Sequence, residues 1–156
     1  MSGTPIGSTD SSDAIAVRGL VHRYADAVVH RDEAQWKSTW ADDAVWDIAG
    51  QRLEGPEAIV AFWNGAMDRF AAVVQTVLNG EAAFDAEAGT GTGRWYIQEH
   101  FQRIDGEVGM MLGYYDDTYV RTDEGWRFTG RELSVTYGGN PKLEGTFHKA
   151  WAEVAC

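Results

Sequence analysis

Gly93-Arg94-Trp95-Tyr96-Ile97-Gln98-Glu99-His100-Phe101 reads as a β-strand whose two faces differ in kind. Side chains alternate along a strand, so Trp95, Ile97, Glu99 and Phe101 share one face. Arg94, Tyr96, Gln98 and His100 share the other. One carboxylate, Glu99, thus stands among large apolar groups. Working outward, Asp105-Gly106 is a strong hairpin signal, so the strand over 94–104 returns as one over 108–121. Thr122-Asp123-Glu124-Gly125 turns the chain into a last long strand over 126–137, which Gly138-Gly139-Asn140-Pro141 stops. On the N-terminal side, 86–93 reads as a loose Gly/Thr turn. Before it lies a strand over 73–84, with Gly80 as a bulge.

Upstream of this meander the period is helical. Ile15, Val17, Leu20, Val21, Tyr24, Ala27 and Val28 recur at spacings of three and four, which predicts a helix from about Asp13, capped by Ser11 or Ser12. Its other side carries Arg18, His22, Asp26 and His30, a ladder of i,i+4 neighbours facing solvent or another subunit. Asp32 caps a short second helix with Trp36 and Trp40 one turn apart. A strand over 44–49 and a brief return over 52–54 follow. Gly55-Pro56 opens a third helix, with Pro at its first position, and Ile59, Phe62, Trp63, Ala66, Met67 and Phe70 give it an apolar stripe. Helices first and long strands after argue for an α+β fold: a curved antiparallel sheet forming a cone around N-terminal helices. Such a cone leaves a cavity, the usual place for a small ligand. Residues 1–12, rich in Gly, Ser and Thr, are expected to form a disordered arm. Residues 13–140 form the domain, and 141–156 a tail closing on it, with Phe147, His148 and Trp151 on a short helix.

The 156 residues suit one domain with a real core, and 44% of them are apolar. Seven Trp, six Tyr and six Phe fit a pocket for a ring-bearing ligand, as well as an aromatic core. The net charge of −11, with no run of Lys or Arg, argues against nucleic acid and against an anionic membrane surface. No apolar run approaches a spanning length, and no signal peptide is visible. Cys156 is the single cysteine. No intrachain disulfide can form, and the expected location is cytoplasmic. The histidines show no metal-ligand spacing, so no metal is expected. Gly89-Thr90-Gly91-Thr92-Gly93 joins two strands and lacks the helix of a phosphate loop.

Several segments together resemble the SnoaL-like branch of the nuclear transport factor 2-like superfamily. They are Tyr24-Ala25-Asp26-Ala27 with Asp32 and Trp36, Trp40-Ala41-Asp42-Asp43-Ala44-Val45-Trp46, and Gly55-Pro56-Glu57-Ala58-Ile59. Tyr115-Asp116-Asp117-Thr118-Tyr119 and Gly125-Trp126-Arg127-Phe128 complete the set. The resemblance implies a cystatin-like α+β barrel. It also implies cofactor-free lyase or isomerase chemistry on a hydrophobic aromatic or polycyclic molecule, in a homo-oligomer, trimer or dimer. Within this superfamily the chain is most similar to the scytalone dehydratase, hexachlorocyclohexane dehydrochlorinase and bile acid dehydratase branch. That branch implies an Asp/His dyad, whose positions here hold Val29 and Gln75. Non-catalytic binding proteins share the fold, so a binding protein that has lost the dyad is the alternative.

Three polar positions carry over from the resemblance: Tyr24, Arg131 and Asn79, the last on a face with Gln75. The expected catalytic set is Glu99, Arg131 and Tyr24, with Glu99 as general base, Arg131 holding an oxygen anion and tyrosines donating to it. An ion pair between Glu99 and Arg131, tying two strands together, is the structural alternative. Trp46, Trp63, Met67, Gln75, Asn79, Trp95, Ile97, Met111 and Tyr115 are the expected substrate-binding residues. The polar outward face of the 94–102 strand suits a subunit interface.

Overall fold

The apolar stripe Val17, Leu20, Val21, Tyr24, Ala27 and Val28 forms the buried side of helix α1 (Ser12–His30). The structure is a computed structural model, and it describes residues 12–147. Ile15, expected on that stripe, is 68% exposed, because at 3.6 residues per turn it lies on the side of the helix opposite Tyr24, whereas Asp13 before it already meets Trp126. Helix α2 (Glu33–Lys37) starts at Asp32, whose carboxylate accepts from Gln35 N. It ends sooner than expected. Thr39 Oγ1 donates to the Trp36 carbonyl at 2.6 Å and Ser38 Oγ to that of Gln35, so hydroxyls take carbonyls that a further turn would have used. Trp40 therefore opens strand β1 (Trp40–Ile48) and does not stand one helical turn from Trp36. Strand β2 (Gln51–Glu54) returns beside β1, and Pro56 begins helix α3 (Pro56–Met67).

The meander then runs as expected in kind and somewhat longer in extent. Strands β3 (Phe70–Asp85), β4 (Thr90–Arg103), β5 (Val108–Thr122) and β6 (Gly125–Gly139) pair antiparallel in sequence order. The stretch expected as a turn divides evenly: 86–89 turns and 90–93 is strand. The turn itself is tight, with Asp85 Oδ1 accepting from Glu87 N and Ala88 N and Gly89 at φ 65°. Strand β7 (Thr146–Phe147) lies antiparallel on β6, where a short helix was expected. His148 and Trp151 fall outside the described residues, as do residues 1–11 of the arm expected over 1–12, whose last residue, Ser12, begins α1.

The strand order is β2-β1-β6-β5-β4-β3, with β1 parallel to β6. The sheet is curved and unclosed, ending at β2 and β3. Register shifts between Trp40 and Val45, Val77 and Gly80, Leu112 and Gly113, and Thr118 and Tyr119 mark bulges, which bend strands and sharpen their twist. The helices cover the concave side, where α1 packs on β3 and β6. Trp36 is the centre of the core. It stacks on Trp63 at 4.7 Å and meets Tyr24, Trp40 and Trp46 at ring distances of 5.4, 5.5 and 5.4 Å.

Candidate functional site

Strand register sorts the concave face into rows. Gln75, Glu99 and Met111 form one; Val77, Ile97, Gly113 and Val135 the next. Trp95, Tyr115 and Leu133 follow, and then Gly93, Asp117, Arg131 and Trp46. Glu99 is half-buried at the open end of this ladder. Gln75 Nε2 donates to its Oε2 at 3.0 Å. Burial raises the Glu99 carboxyl above the usual carboxylate range, and the Gln75 amide opposes that only in part. A carboxyl shifted this way is a better proton acceptor near neutral pH than an exposed one.

Tyr24 on α1 and Tyr115 on β5 are each 2% exposed, and their hydroxyls lie 3.5 Å apart, at the limit of a hydrogen bond. Burial pushes both phenols up. The Arg131 cation pulls both back, while Glu99 adds to the rise in each. The phenols thus lie between the carboxyl and the guanidinium. Arg131 is packed against rings from three elements, its Cζ 3.8 Å from the centre of Tyr115, 4.1 Å from Phe128 and 4.3 Å from Tyr24. At these distances a buried cation is attracted to the ring faces.

The expected ion pair of Glu99 with Arg131 does not form. Arg131 instead pairs with Asp117, Nε to Oδ1 at 2.8 Å and Nη2 to Oδ2 at 3.2 Å. Asp117 also accepts from the Tyr119 hydroxyl at 2.9 Å, which accepts from Trp95 Nε1 at 2.8 Å. Burial opposes the charge of Arg131, yet Asp117 and the two phenols hold it protonated above the ordinary guanidinium value. Burial also raises the Asp117 carboxyl, against the pull of Arg131. The reading of the sequence missed Asp117, although the signal was the one that singled out Glu99: an acid sharing strand parity with large rings, here Tyr115 and Tyr119.

The other expected ligand contacts divide. Gln75 and Met111 flank Glu99, and Ile97 and Tyr115 stand in the next rows. Met67 is half-buried against the core. Trp46 and Trp63 belong to the aromatic block around Trp36, and Trp95 is tied to Tyr119. Asn79 is exposed and does not join Gln75 on the concave face. The bulge between Val77 and Gly80 leaves Leu78 and Asn79 unpaired and resets the alternation. On the outer side of the sheet, a groove of about 870 Å³ runs over Asp47, Glu81, Arg94, Asp116 and Glu132. Asp117 and Arg131 also line it and Glu99 does not, and the guanidinium groups of Arg52 and Arg94 are taken up in exposed pairs with Asp47 and Asp116. Among the described residues, no group of three or more His, Cys, Asp or Glu is placed to hold a metal ion, and no helix is long and apolar enough to cross a membrane.

A sequence profile described as a SnoaL-like domain matches residues 9–132. Among solved structures, a proposed scytalone dehydratase from Novosphingobium aromaticivorans DSM 12444 superposes with a TM-score of 0.78 at 18% identity, covering 90% of this chain and 95% of that one. A hexachlorocyclohexane dehydrochlorinase, LinA type 2, gives 0.75 at 21% identity, with coverages of 88% and 93%. A further dehydrochlorinase, LinA-type3 from Novosphingobium barchaimii LL02, gives 0.72 at 20%, with coverages of 92% and 94%. At such identities the likeness establishes the fold. No curated protein matches the sequence.

Proposed function

The chain belongs to the SnoaL-like domain family of the nuclear transport factor 2-like superfamily, and on that premise we propose that it is a cofactor-independent lyase of the dehydratase kind, or an isomerase. Its substrate is a hydrophobic aromatic or polycyclic molecule with an acidic C–H next to a carbonyl. Glu99 takes the proton. The electron pair moves onto the neighbouring oxygen, where Tyr24 and Tyr115 donate hydrogen bonds to the growing negative charge. The charge then collapses by loss of a leaving group, giving an elimination, or by return of the proton to another carbon, giving an isomerisation. The observation that carries this reading is Glu99 itself: a carboxyl raised by burial, bonded by one amide, on the concave face within electrostatic reach of two buried phenols.

A second reading, a binding protein without chemistry, draws on Val29 and on Gln75, which stand where the resemblance implies the dyad. Gln75 is 9% exposed and spends its amide on Glu99. One experiment separates the two readings: a thermal-shift screen of phenolic, polyketide-like and steroidal compounds, with the mass and spectrum of each hit followed over time. A ligand at a hundred times its dissociation constant stabilises the native state by ~2.7 kcal/mol, enough to see. A hit that is converted, and not converted by Glu99→Gln, supports the enzyme. Hits returned unchanged support the binder.

The proposal extends to a cytoplasmic homo-oligomer, dimer or trimer, joined through the outer sheet face. Val74 and Leu78 are 50% and 51% exposed there, beside the Tyr96–Tyr114 ring pair. Light scattering at micromolar concentration tests the assembly, and a monomer would remove it.

A further inference from the structure

Arg131 is 2% exposed, and among the described residues its Nη1 has no hydrogen-bond partner. A guanidinium has five N–H donors, and a buried one left unpaired is costly. The other side of the group is fully engaged. Asp117 clamps Nε and Nη2, Tyr119 holds Asp117, and Trp95 holds Tyr119. The backbone makes room for this chain at Gly93, where a Cβ would lie 2.7 Å from the Tyr119 hydroxyl. Tyr24, Tyr115 and Phe128 close around the guanidinium carbon. A fork clamped on one side and boxed by rings on the others cannot turn to another partner.

We propose that Asp117, backed by Tyr119 and Trp95, is a positioning residue that holds the Arg131 guanidinium against the two phenols with Nη1 kept free, so that phenols and cation together bind an anionic oxygen of the ligand. The ligand class is a phenolate or enolate. This rests on the reading of the concave face as the ligand site, but not on turnover. Asp117 gives up part of the favourable field, since its own charge opposes that of a bound anion. What it supplies is orientation, in the bidentate geometry that a carboxylate and an arginine make together.

That trade makes the test one of sign. The full-length protein is titrated with 4-nitrophenol over a range of pH, and the bound fraction that is ionised is read from the visible absorbance of the phenolate. The native protein binds the phenolate in preference to the phenol. If Asp117 were only a nearby negative charge, Asp117→Asn would strengthen phenolate binding. Positioning predicts the reverse, a loss of ~10-fold or more as Arg131 leaves the phenols. Two variants keep the test decisive should that one fail to fold. Tyr119→Phe keeps both charges and is expected to weaken phenolate binding in the same direction, by less. Arg131→Lys keeps the cation but not the fork, and is expected to lose as much as Asp117→Asn. Failure of the native protein to favour the phenolate overturns the proposal, as does tighter binding in Asp117→Asn or native binding in Arg131→Lys. The catalytic reading is tested apart from this: Glu99→Gln is read by turnover, expected to fall at least ~100-fold, and the phenolate titration of the Asp117, Tyr119 and Arg131 variants needs no turnover, so either idea can fall without the other.

Discussion

Glu99 and Arg131 share the concave face of one sheet and stand three rows apart, Glu99 opposite Met111 and Arg131 opposite Asp117, six residues further along β5. At ~3.4 Å per residue the two strand positions are about 20 Å apart, beyond the reach of a direct pair. Each therefore finds its own partner, Gln75 for the carboxyl and Asp117 for the guanidinium, and the phenols of Tyr24 and Tyr115 occupy the ground between. A base at one end and a cation at the other, with weak acids between them, is an arrangement that can move a proton and hold the resulting charge.

Replacing Glu99 by Gln removes the base while keeping shape and the contact with Gln75. Turnover of a converted ligand should fall at least ~100-fold. Stability should move in the other direction. Because burial raises the Glu99 carboxyl, the folded state holds its proton more tightly than the unfolded chain does. The stability this gives is complete below the ordinary carboxylate value, about 4.3, and is lost as pH rises through the raised one. The melting temperature of the variant should therefore exceed that of the parent near neutrality and match it at about pH 4 or below. Parallel melting curves at every pH would contradict the burial of this carboxyl.

Breaking the Asp117–Arg131 pair from one side leaves a charge uncompensated in the core. Asp117→Ala is expected to cost ~3–5 kcal/mol in urea unfolding, and the double change Asp117→Leu with Arg131→Met to recover most of that. A double variant no more stable than the single one would show that the pair itself, and not the stranded charge, carries the energy.

Trp63 separates a packing role from a ligand role. It lies stacked on Trp36 at an interplanar angle of 14° and is 3% exposed. Trp63→Ala should lower unfolding free energy by ~3–5 kcal/mol, as loss of a buried indole does. Unchanged stability combined with lost ligand affinity would return it to the list of ligand contacts.

Gly113 faces a bulge on β6. A Cβ there would stand 2.5 Å from the Ser134 carbonyl oxygen, which is backbone and cannot swing aside. Gly113→Ala should cost ~1–3 kcal/mol and lower the melting temperature measurably. The damage falls between Tyr115 and Met111 on β5, so ligand binding should weaken with it.

Much of this molecule was written in local periods. Spacings of three and four placed the buried stripe of α1, and Asp105-Gly106 placed the hairpin between β4 and β5. Alternation placed Glu99 among Trp95, Ile97 and Phe101, and Tyr115 on the same side of the sheet. Two of the misreadings occur where a period is broken by something local sequence does not announce. The hydroxyls of Ser38 and Thr39 end α2 a turn early and give Trp40 to β1. The bulge after Val77 turns Asn79 outward.

The sequence by itself determined most of the elements, their order and, away from the bulges, the side on which a strand residue faces, because those depend on neighbours two to four positions away. Only the tertiary structure decided that Arg131 meets Asp117 and not Glu99, and that Tyr24 from the first helix closes over Arg131. Those contacts depend on register between strands and on where bulges bend them, and register is settled by how the whole concave face packs against the aromatic block around Trp36.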